Sequence, residues 1–533
     1  MTERFFNNAG PVDCTDHYCL PPLERFDLPE IEHLIVQKRY FVLHAPRQTG
    51  KTSTLLALAA YLNQQGKYRC LYVNVECGQS AREDVFAAMQ AILGQIATQA
   101  RIQLQDERLL ELAQSVLQQC GVHGAHGALA ELLSGWTELE TSPTLLFIDE
   151  IDALIGDTLI SVLRQLRGGY TQRPAHFPQS VILCGIRDVR DYRIHSSHSK
   201  EIITGGSAFN IKAESLRMGD FTQVEVEQLY QQHSTETGQS FSSEALDRVW
   251  ELTQGQPWLA NALGYEVTFR MKHNRNRSRS IGLEDIEQAK ENLILQRVTH
   301  LDQLTDKLKE ARVRRVIEPI LAGTGLSQAL EDDLSYVADL GLIRHDRQNG
   351  ARIANAIYRE VIPRQLTYVQ QYDLEAQFKS AWYINEDGRL NIDKLLSAFQ
   401  QFFREHSEHW LERFDYKEAG PQLLLQAFLQ RIVNGGGRIE REYGLGRMRT
   451  DLLIIWPYGV QGIQRIVLEL KILHRSLEYT IEQGVVQTWK YLDRCGAEDG
   501  HLLIFDRSDK AWDEKVFRRE EVYQGKVIGV WGV

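Results

Sequence analysis

The stretch Arg39-Tyr-Phe-Val-Leu-His-Ala-Pro-Arg-Gln-Thr-Gly-Lys-Thr-Ser53 opens as an apolar run, breaks into a small polar loop and continues into the helix-prone Leu55–Leu62. It reads as strand, phosphate loop, helix. Such a loop works because backbone N–H groups and a helix N-terminus face phosphate oxygens, a lysine ammonium reaches the β- and γ-phosphates and a hydroxyl meets Mg²⁺. Gly50, Lys51 and Thr52 supply those parts, and Ala45, Arg47, Gln48, Thr49 and Ser53 complete the loop. Ala45 stands where the full pattern has glycine and is small enough to let the backbone approach closely. ATP with Mg²⁺ is the ligand pair this loop predicts.

A partner for the loop lies at Thr144-Leu-Leu-Phe-Ile-Asp-Glu-Ile-Asp152, an apolar strand ending in adjacent carboxylates. Asp149 would hold Mg²⁺ through its water shell, and Glu150 would polarise the attacking water, the role that separates a hydrolase from a mere nucleotide binder. Read alone, the acids from Glu150 onward also suit a helix cap, but that leaves the preceding strand and the upstream loop unexplained. Val181–Gly185 reads as a further buried strand, and the polar cluster after it offers Arg187 as the first choice to sense a γ-phosphate, with Arg190 or Arg193 second. A surface cluster of Asp188 and Asp191 with those arginines is the competing reading. Arg164 and Arg167 are placed by position to serve as an arginine finger.

The chain has 533 residues, enough for three or four domains, with ordinary apolar (43%) and charged (25%) content. A net charge of −11 argues against indiscriminate coating of nucleic acid, and the acidity sits upstream of a nearly neutral last quarter. The seven cysteines are odd in number and scattered, with neither metal spacing nor a disulfide framework, so reduced thiols are expected. With no apolar signal core at the amino end and no run long enough to span a bilayer, the expectation is a cytoplasmic protein without a membrane partner.

In order, residues 1–35 read as an arm, in which packing is favoured over adenine contact for Tyr18, and 36–212 as a parallel sheet with helices on both faces. Tyr68–Val75 is its second strand, followed by helices over Ala81–Ala100 and Asp106–Gln119. Residues 213–298 form a helical lid entered through Gly255-Gln-Pro-Trp258, and 269–280 carry a basic run that suits either solvent or a phosphate backbone. Residues 299–365 outline a winged helix, 366–415 a helical connector, and 416–533 a small α/β domain.

That last domain holds a second site. After the amphipathic helix Gln422–Val433, strands are expected at Ile439–Gly444, Met448–Trp456 and Arg465–Leu473. Strand alternation puts Glu469 and Lys471 on one face, and Asp451 reaches that face if its strand pairs as a hairpin. Two carboxylates holding Mg²⁺ and a lysine positioning a water suit phosphodiester hydrolysis. Gln487 and Tyr491 on the next helix support the site, and Glu418 and Glu442 are weaker additions to the metal shell. Charges on a half-exposed strand are the bland alternative.

Residues 36 to about 260 resemble P-loop ATPases of the AAA+/STAND type, close to the archaeal-type ATPases, on the strength of Ala45–Thr52, Leu146–Glu150 and Gly255–Trp258. Residues 416–533 resemble the PD-(D/E)xK nuclease superfamily through Asp451, Glu469-Leu-Lys471 and the Gln487–Tyr491 helix, with Thr450 where the superfamily pattern has proline. Together the ends look like AAA-like-domain ATPases fused to such nucleases, a group associated with mobile elements and phage defence. The resemblance implies a multidomain α/β protein: a P-loop sheet, helical lid and winged helix, then a restriction-endonuclease-like domain. Its expected activity is ATP-dependent or ATP-regulated DNA cleavage needing Mg²⁺, with catalysis by Glu150, Asp451, Glu469, Lys471 and Gln487. Metal would sit at Thr52 and Asp149 in one site and at Asp451 and Glu469 in the other. DNA and a nucleotide-dependent homo-oligomer are the implied partners. The rivals are a STAND-like switch that binds nucleic acid or a protein without cutting, and a DNA motor.

Overall fold

Two sheets organise the chain. The computed structural model describes residues 3–188, 193–195, 202–204, 209–295, 306–322, 331–346, 350–366, 383–411, 425, 428–429, 437–445, 448–459, 462–473, 476–506, 508 and 510–533. One unit comprises Met1–Val298 with Ser335–Ile343, the other Thr299–Leu334 with Arg344–Val533.

In the first unit, β1 (Tyr40–His44), β2 (Arg69–Asn74), β3 (Thr144–Asp149), β4 (Ser180–Gly185) and β5 (Lys212–Arg217) form a sheet in the order β2-β3-β4-β1-β5, parallel throughout. The central strands are apolar end to end because both faces are covered. Phe41, Leu43, Leu145 and Phe147 pack with Ile31 and Ile35 of α1 (Leu28–Val36) and Leu55 and Leu58 of α2 (Lys51–Gln64). The alternate residues Tyr40, Val42, Leu146 and Ile148 face α3 (Val85–Leu104), α4 (Arg108–His123), α5 (Ala128–Leu139) and α6 (Gly156–Gly169). The lid helices are α7 (Gln223–Thr237), α8 (Ser243–Thr253), α9 (Pro257–Tyr265) and α10 (Leu283–Leu295), and Thr222 with Glu225 closes a capping box at the start of α7.

The amino-terminal arm is strapped to this unit. Phe5–Phe6 pairs in parallel with His17–Tyr18. Tyr18 is buried, edge-on to Phe6 and hydrogen-bonded to His233 at 3.2 Å, which is the packing role expected for it. One expectation is corrected here: Cys14 and Cys19 are bonded to each other. The turn closed by Asp16 and His17 N–H on Asp13 O brings their Cα atoms to 5.5 Å, a proximity that spacing alone does not reveal. The basic run is largely spent inside the lid. Arg277 donates to Thr268 O at 2.9 Å and pairs with Glu3, while Arg279 and His273 both engage Asp285.

In the second unit, α11 (Ala311–Ala322) and α12 (Glu331–Asp339) precede a ribbon of β6 (Ile343–Asp346) and β7 (Gly350–Ile353), and α13 (Ala356–Leu366) follows. The last residues of α12 and the start of β6 belong to the first unit. After α14 (Ile392–Leu411) come β8 (Arg438–Leu445), β9 (Met448–Tyr458), β10 (Gly462–Ile472), α15 (Leu477–Cys495), β11 (Asp499–Phe505), β12 (Phe517–Tyr523) and β13 (Lys526–Gly532). These strands form one mixed sheet, β8-β9-β10-β11-β13-β12, with parallel pairs only at β10/β11 and β11/β13. Phe399 and Phe403 of α14 meet Phe505 on one face, and Ile481, Val485 and Leu492 of α15 meet Leu453, Val467 and Leu502 on the other. Of the expected helix Gln422–Val433, only Leu425, Phe428 and Leu429 are among the described residues. Among the described residues no helix is long and apolar enough to cross a membrane.

Candidate functional site

The phosphate loop joins β1 to α2. Gly50 sits at φ +97°, a left-handed conformation that glycine adopts without cost, and Gln48 at φ +59° is a non-glycine residue in the same region. Lys51 is buried, and its Nζ donates to Ala45 O and Pro46 O, each at 2.9 Å. Thr49 Oγ1 also donates to Pro46 O. Ser53 Oγ accepts from Val12 N at 2.9 Å and so ties the arm to α2. Arg47 is exposed at the loop's rim, and its charge and that of Lys51 favour the ionised form of Glu150.

Asp149 ends β3 with no exposure. Its Oδ2 accepts from Thr52 Oγ1 at 2.7 Å and from Tyr72 OH at 2.9 Å, and its Oδ1 from Glu150 N at 2.9 Å. Thr52 and Asp149 therefore share one hydrogen bond, and their hard oxygen donors fit Mg²⁺. Tyr72, on the neighbouring strand β2, lies outside both motifs, and nothing in its apolar surroundings marks it in the sequence. Burial raises its phenol well above the ordinary range, so it stays a donor.

Glu150 stands at φ +57°. Burial, and after it the charges of Asp152 and Asp149, raise its carboxyl above the usual range. The alternative role as a helix cap does not describe these acids: Ile151–Ala153 is a single tight turn, and Asp152 Oδ1 accepts from Ile186 N at 3.1 Å, locking β3 to the end of β4.

Arg187 follows β4 directly. Its Nε donates to Asp339 at 3.2 Å and its guanidinium lies 5.0 Å from the Tyr336 ring, both residues of the segment 335–343 that packs in the first unit. Asp188 pairs with Lys212. Arg190 and Asp191 lie outside the described residues, as does the side chain of Arg193. Arg164 and Arg167 are exposed on α6. Arg25, which the motifs do not flag, reaches the loop from the arm: its guanidinium stacks 4.3 Å from the Phe221 ring and donates to Gly219 O at 2.6 Å.

The second unit brings together Glu469, Lys471, Gln487 and Tyr491. Glu469 is fully buried, in the layer where β10 meets α15. Lys471 Nζ donates to Glu469 Oε1 at 2.8 Å and to Gln487 Oε1 at 2.9 Å, and Gln487 Nε2 donates to Tyr491 OH at 2.9 Å. Asp451 lies two residues before Leu453 in β9, and Leu453 pairs with Val467, two residues before Glu469. The side chains of Asp451 and Glu442 lie outside the described residues, as does all of Glu418. Among the described residues no three His, Cys, Asp or Glu side chains gather around a possible metal position.

Residues 35–192 match the family model described as an AAA domain. No curated protein matches the chain. Similar solved structures include a Walker-type ATPase of Pyrococcus abyssi, at 14% identity and TM-score 0.46, covering 67% of this chain and 99% of that one. The ORC2 protein of Aeropyrum pernix, in ADPNP and ADP complexes, has 14% identity and TM-score 0.37 over 65% and 94%. The RuvB Holliday junction branch migration motor of Thermotoga maritima has 12% identity and TM-score 0.31 over 62% and 90%. Overlaps this loose carry no weight for function. With Lys51 and Thr52 just past β1 and Asp149 and Glu150 at the end of β3, on either side of β4, the matched residues 35–192 form an AAA-type P-loop ATPase domain.

Proposed function

We propose that the chain is an ATP-regulated, Mg²⁺-requiring DNA nuclease. ATP would be held by the loop Ala45–Ser53, with Mg²⁺ at Thr52 and Asp149, Glu150 orienting the attacking water and Arg187 reading the γ-phosphate. Nucleotide state would govern nucleotide-dependent self-association and access to Asp451, Glu469 and Lys471. The observation that carries the nuclease half is the bridge from Lys471 Nζ to both Glu469 and Gln487. It fixes a lysine beside a strand carboxylate, and Asp451 would join them if strand alternation carries through to it. Those two carboxylates are hard oxygen donors of the kind a divalent ion selects, and a bound Mg²⁺ there would polarise a phosphodiester. Lys471 would orient the water, and Gln487 would hold Lys471 in place.

A second reading rests on the same pair. Because the Glu469 carboxylate is buried and already bound by Lys471, the site also suits a non-cutting domain that binds nucleic acid or a protein under control of an ATPase switch. Incubating linear, circular and single-stranded DNA with Mg²⁺, with and without ATP, separates the two. Cleavage by the wild type that Lys471→Ala abolishes supports the nuclease. ATP hydrolysis without cleavage of any substrate sinks it in favour of the switch.

A further inference from the structure

The arm meets the phosphate loop through a stapled turn. Phe6 and Tyr18 are buried, while between them Ala9, Gly10, Pro11 and the residues from Asp13 to Asp16 are exposed. Val12 N donates to Ser53 Oγ at 2.9 Å in the first turn of α2, and the Cys14–Cys19 bond closes the turn. The two cysteines sit differently. Cys14 is exposed, whereas Cys19 is half-buried and exchanges two hydrogen bonds with Gln232 of α7, its N–H donating to Oε1 at 3.1 Å and its carbonyl accepting from Nε2 at 2.9 Å. The bond therefore ties an exposed turn to a residue fixed on the lid.

Gly10, Val12 and Cys19 line one cavity with Thr49, Gly50 and Ser53, so the stapled stretch and its lid-side anchor both border the loop that would hold the phosphates. A neutral hydrogen bond such as Val12 to Ser53 is a weak tie by itself, because water competes for both partners. A covalent link removes most of the open arrangements of the turn and so keeps Val12 near Ser53. Bonds within the turn, such as Thr15 N to Asp13 Oδ1 at 2.9 Å, are exposed and hold its shape rather than its place on the loop.

We infer that the Cys14–Cys19 bond is a redox-operated strap over the phosphate loop: closed, it retards nucleotide release, and opened by a dithiol reductant it frees the turn and speeds exchange. This rests on the phosphate-loop reading and adds to it a means of control. Exposed disulfides are the labile ones, and here the accessible sulfur is that of Cys14. A thiolate of the reductant attacks Cys14 Sγ, the S–S bond breaks, and Cys19 leaves as a thiolate that takes up a proton. The reductant's second thiol then closes on its first sulfur and releases Cys14. The reductant departs as a disulfide, and the arm has gained two electrons and two protons. The reverse exchange with an oxidised dithiol rebuilds the strap.

The test uses the full chain with dithiothreitol as the dithiol. Thiol titration of the unfolded chain should count five free cysteines before reduction and seven after. Release of radiolabelled ADP, chased with excess ADP in Mg²⁺, should be about tenfold faster after reduction than before. Cys14→Ser and Cys19→Ser should release at the fast rate with or without the reductant. Cys77→Ser, which removes an exposed thiol outside the arm, should keep the wild-type response. Equal rates before and after reduction, once the thiol counts show that the bond has opened, overturn the strap. So does a reductant effect that survives in Cys14→Ser, or a count of seven without reductant. Lys51→Ala holding ADP as tightly as the wild type would instead remove the phosphate-loop reading, and the strap with it.

Discussion

The chain holds two buried carboxylates beside a lysine, and it treats them in opposite ways. Around Asp149 the partners are neutral donors, two hydroxyls and a backbone N–H, while Lys51 is bonded to the carbonyls of Ala45 and Pro46. Around Glu469 the lysine is itself the partner, at 2.8 Å. In the first site cation and anion are each solvated by dipoles and keep their charges for a ligand. In the second they neutralise one another. Separation of charge suits a site that must receive a metal–phosphate pair. An internal ion pair suits a site that stays closed until something competes for it.

The contrast predicts where each lysine is felt. Lys51→Ala should reduce ATP turnover about a hundredfold or more, since it removes a cation from the transferring phosphate. Unfolding stability should move by only about 1 kcal/mol, because no buried charge is stranded. A large stability loss in urea titration would mean that Lys51 and Asp149 are in truth a pair. Glu150→Gln should follow, with turnover down about a hundredfold and nucleotide affinity retained, as expected on loss of a general base. Because burial raises its carboxyl, wild-type turnover should fall with decreasing pH sooner than for an ordinary carboxylate. The linkage sign runs the other way for stability: a raised acid favours the folded state below its folded pKa and loses that contribution as pH rises through it. Glu150→Gln should therefore be the more stable form at pH 8, with the gap closing towards acid. A constant gap would place Glu150 in solvent.

What was legible in the sequence divides along the same line. Strand–loop–helix and strand–acid–acid are local patterns, so Lys51, Thr52, Asp149 and Glu150 could be named from short windows, and alternation sufficed to put Glu469 and Lys471 on one face. Their partners are not local. Tyr72, Arg25 and Asp339 reach the first site from elements whose positions depend on sheet order and lid packing, which no window reports. Alternation likewise names the face of Glu469 but not its ion pair, because that depends on Gln487 of α15 steering the ammonium back. The Cys14–Cys19 bond was missed for the same reason, since a turn rather than a spacing made it.

Lys471→Ala sharpens the comparison from the other side. It strands the buried Glu469 carboxylate, and breaking a buried pair costs about 3–5 kcal/mol, which the partial exposure of Lys471 (30%) lowers to about 2–3 kcal/mol. Replacing both residues with leucine should return most of that stability, as apolar isosteres of ion pairs do. If the single variant is as stable as the wild type, water already reaches Glu469 and the site is open rather than closed.

A pH-dependent contrast lies on the next strand of the same sheet. His501 of β11 is buried, and its Nδ1 accepts from Trp531 Nε1 at 3.1 Å, so a second proton would have to displace that bond. Burial, above all, pushes the imidazole down to about 4. Unfolded, it titrates near about 6.5, so between those values the unfolded chain binds more protons and stability rises with pH. The contribution is complete above pH 6.5 and is lost as pH falls towards 4, about 3 kcal/mol in all. Carboxylates elsewhere titrate in the same range, so the decisive measurement is a difference. His501→Gln keeps an acceptor for Trp531 but cannot be charged, and its urea stability should fall less steeply than the wild type's between pH 6.5 and 4.5. Parallel slopes would mean that acid reaches His501 without unfolding, and that the centre of this sheet is no drier than the Glu469–Lys471 face beside it.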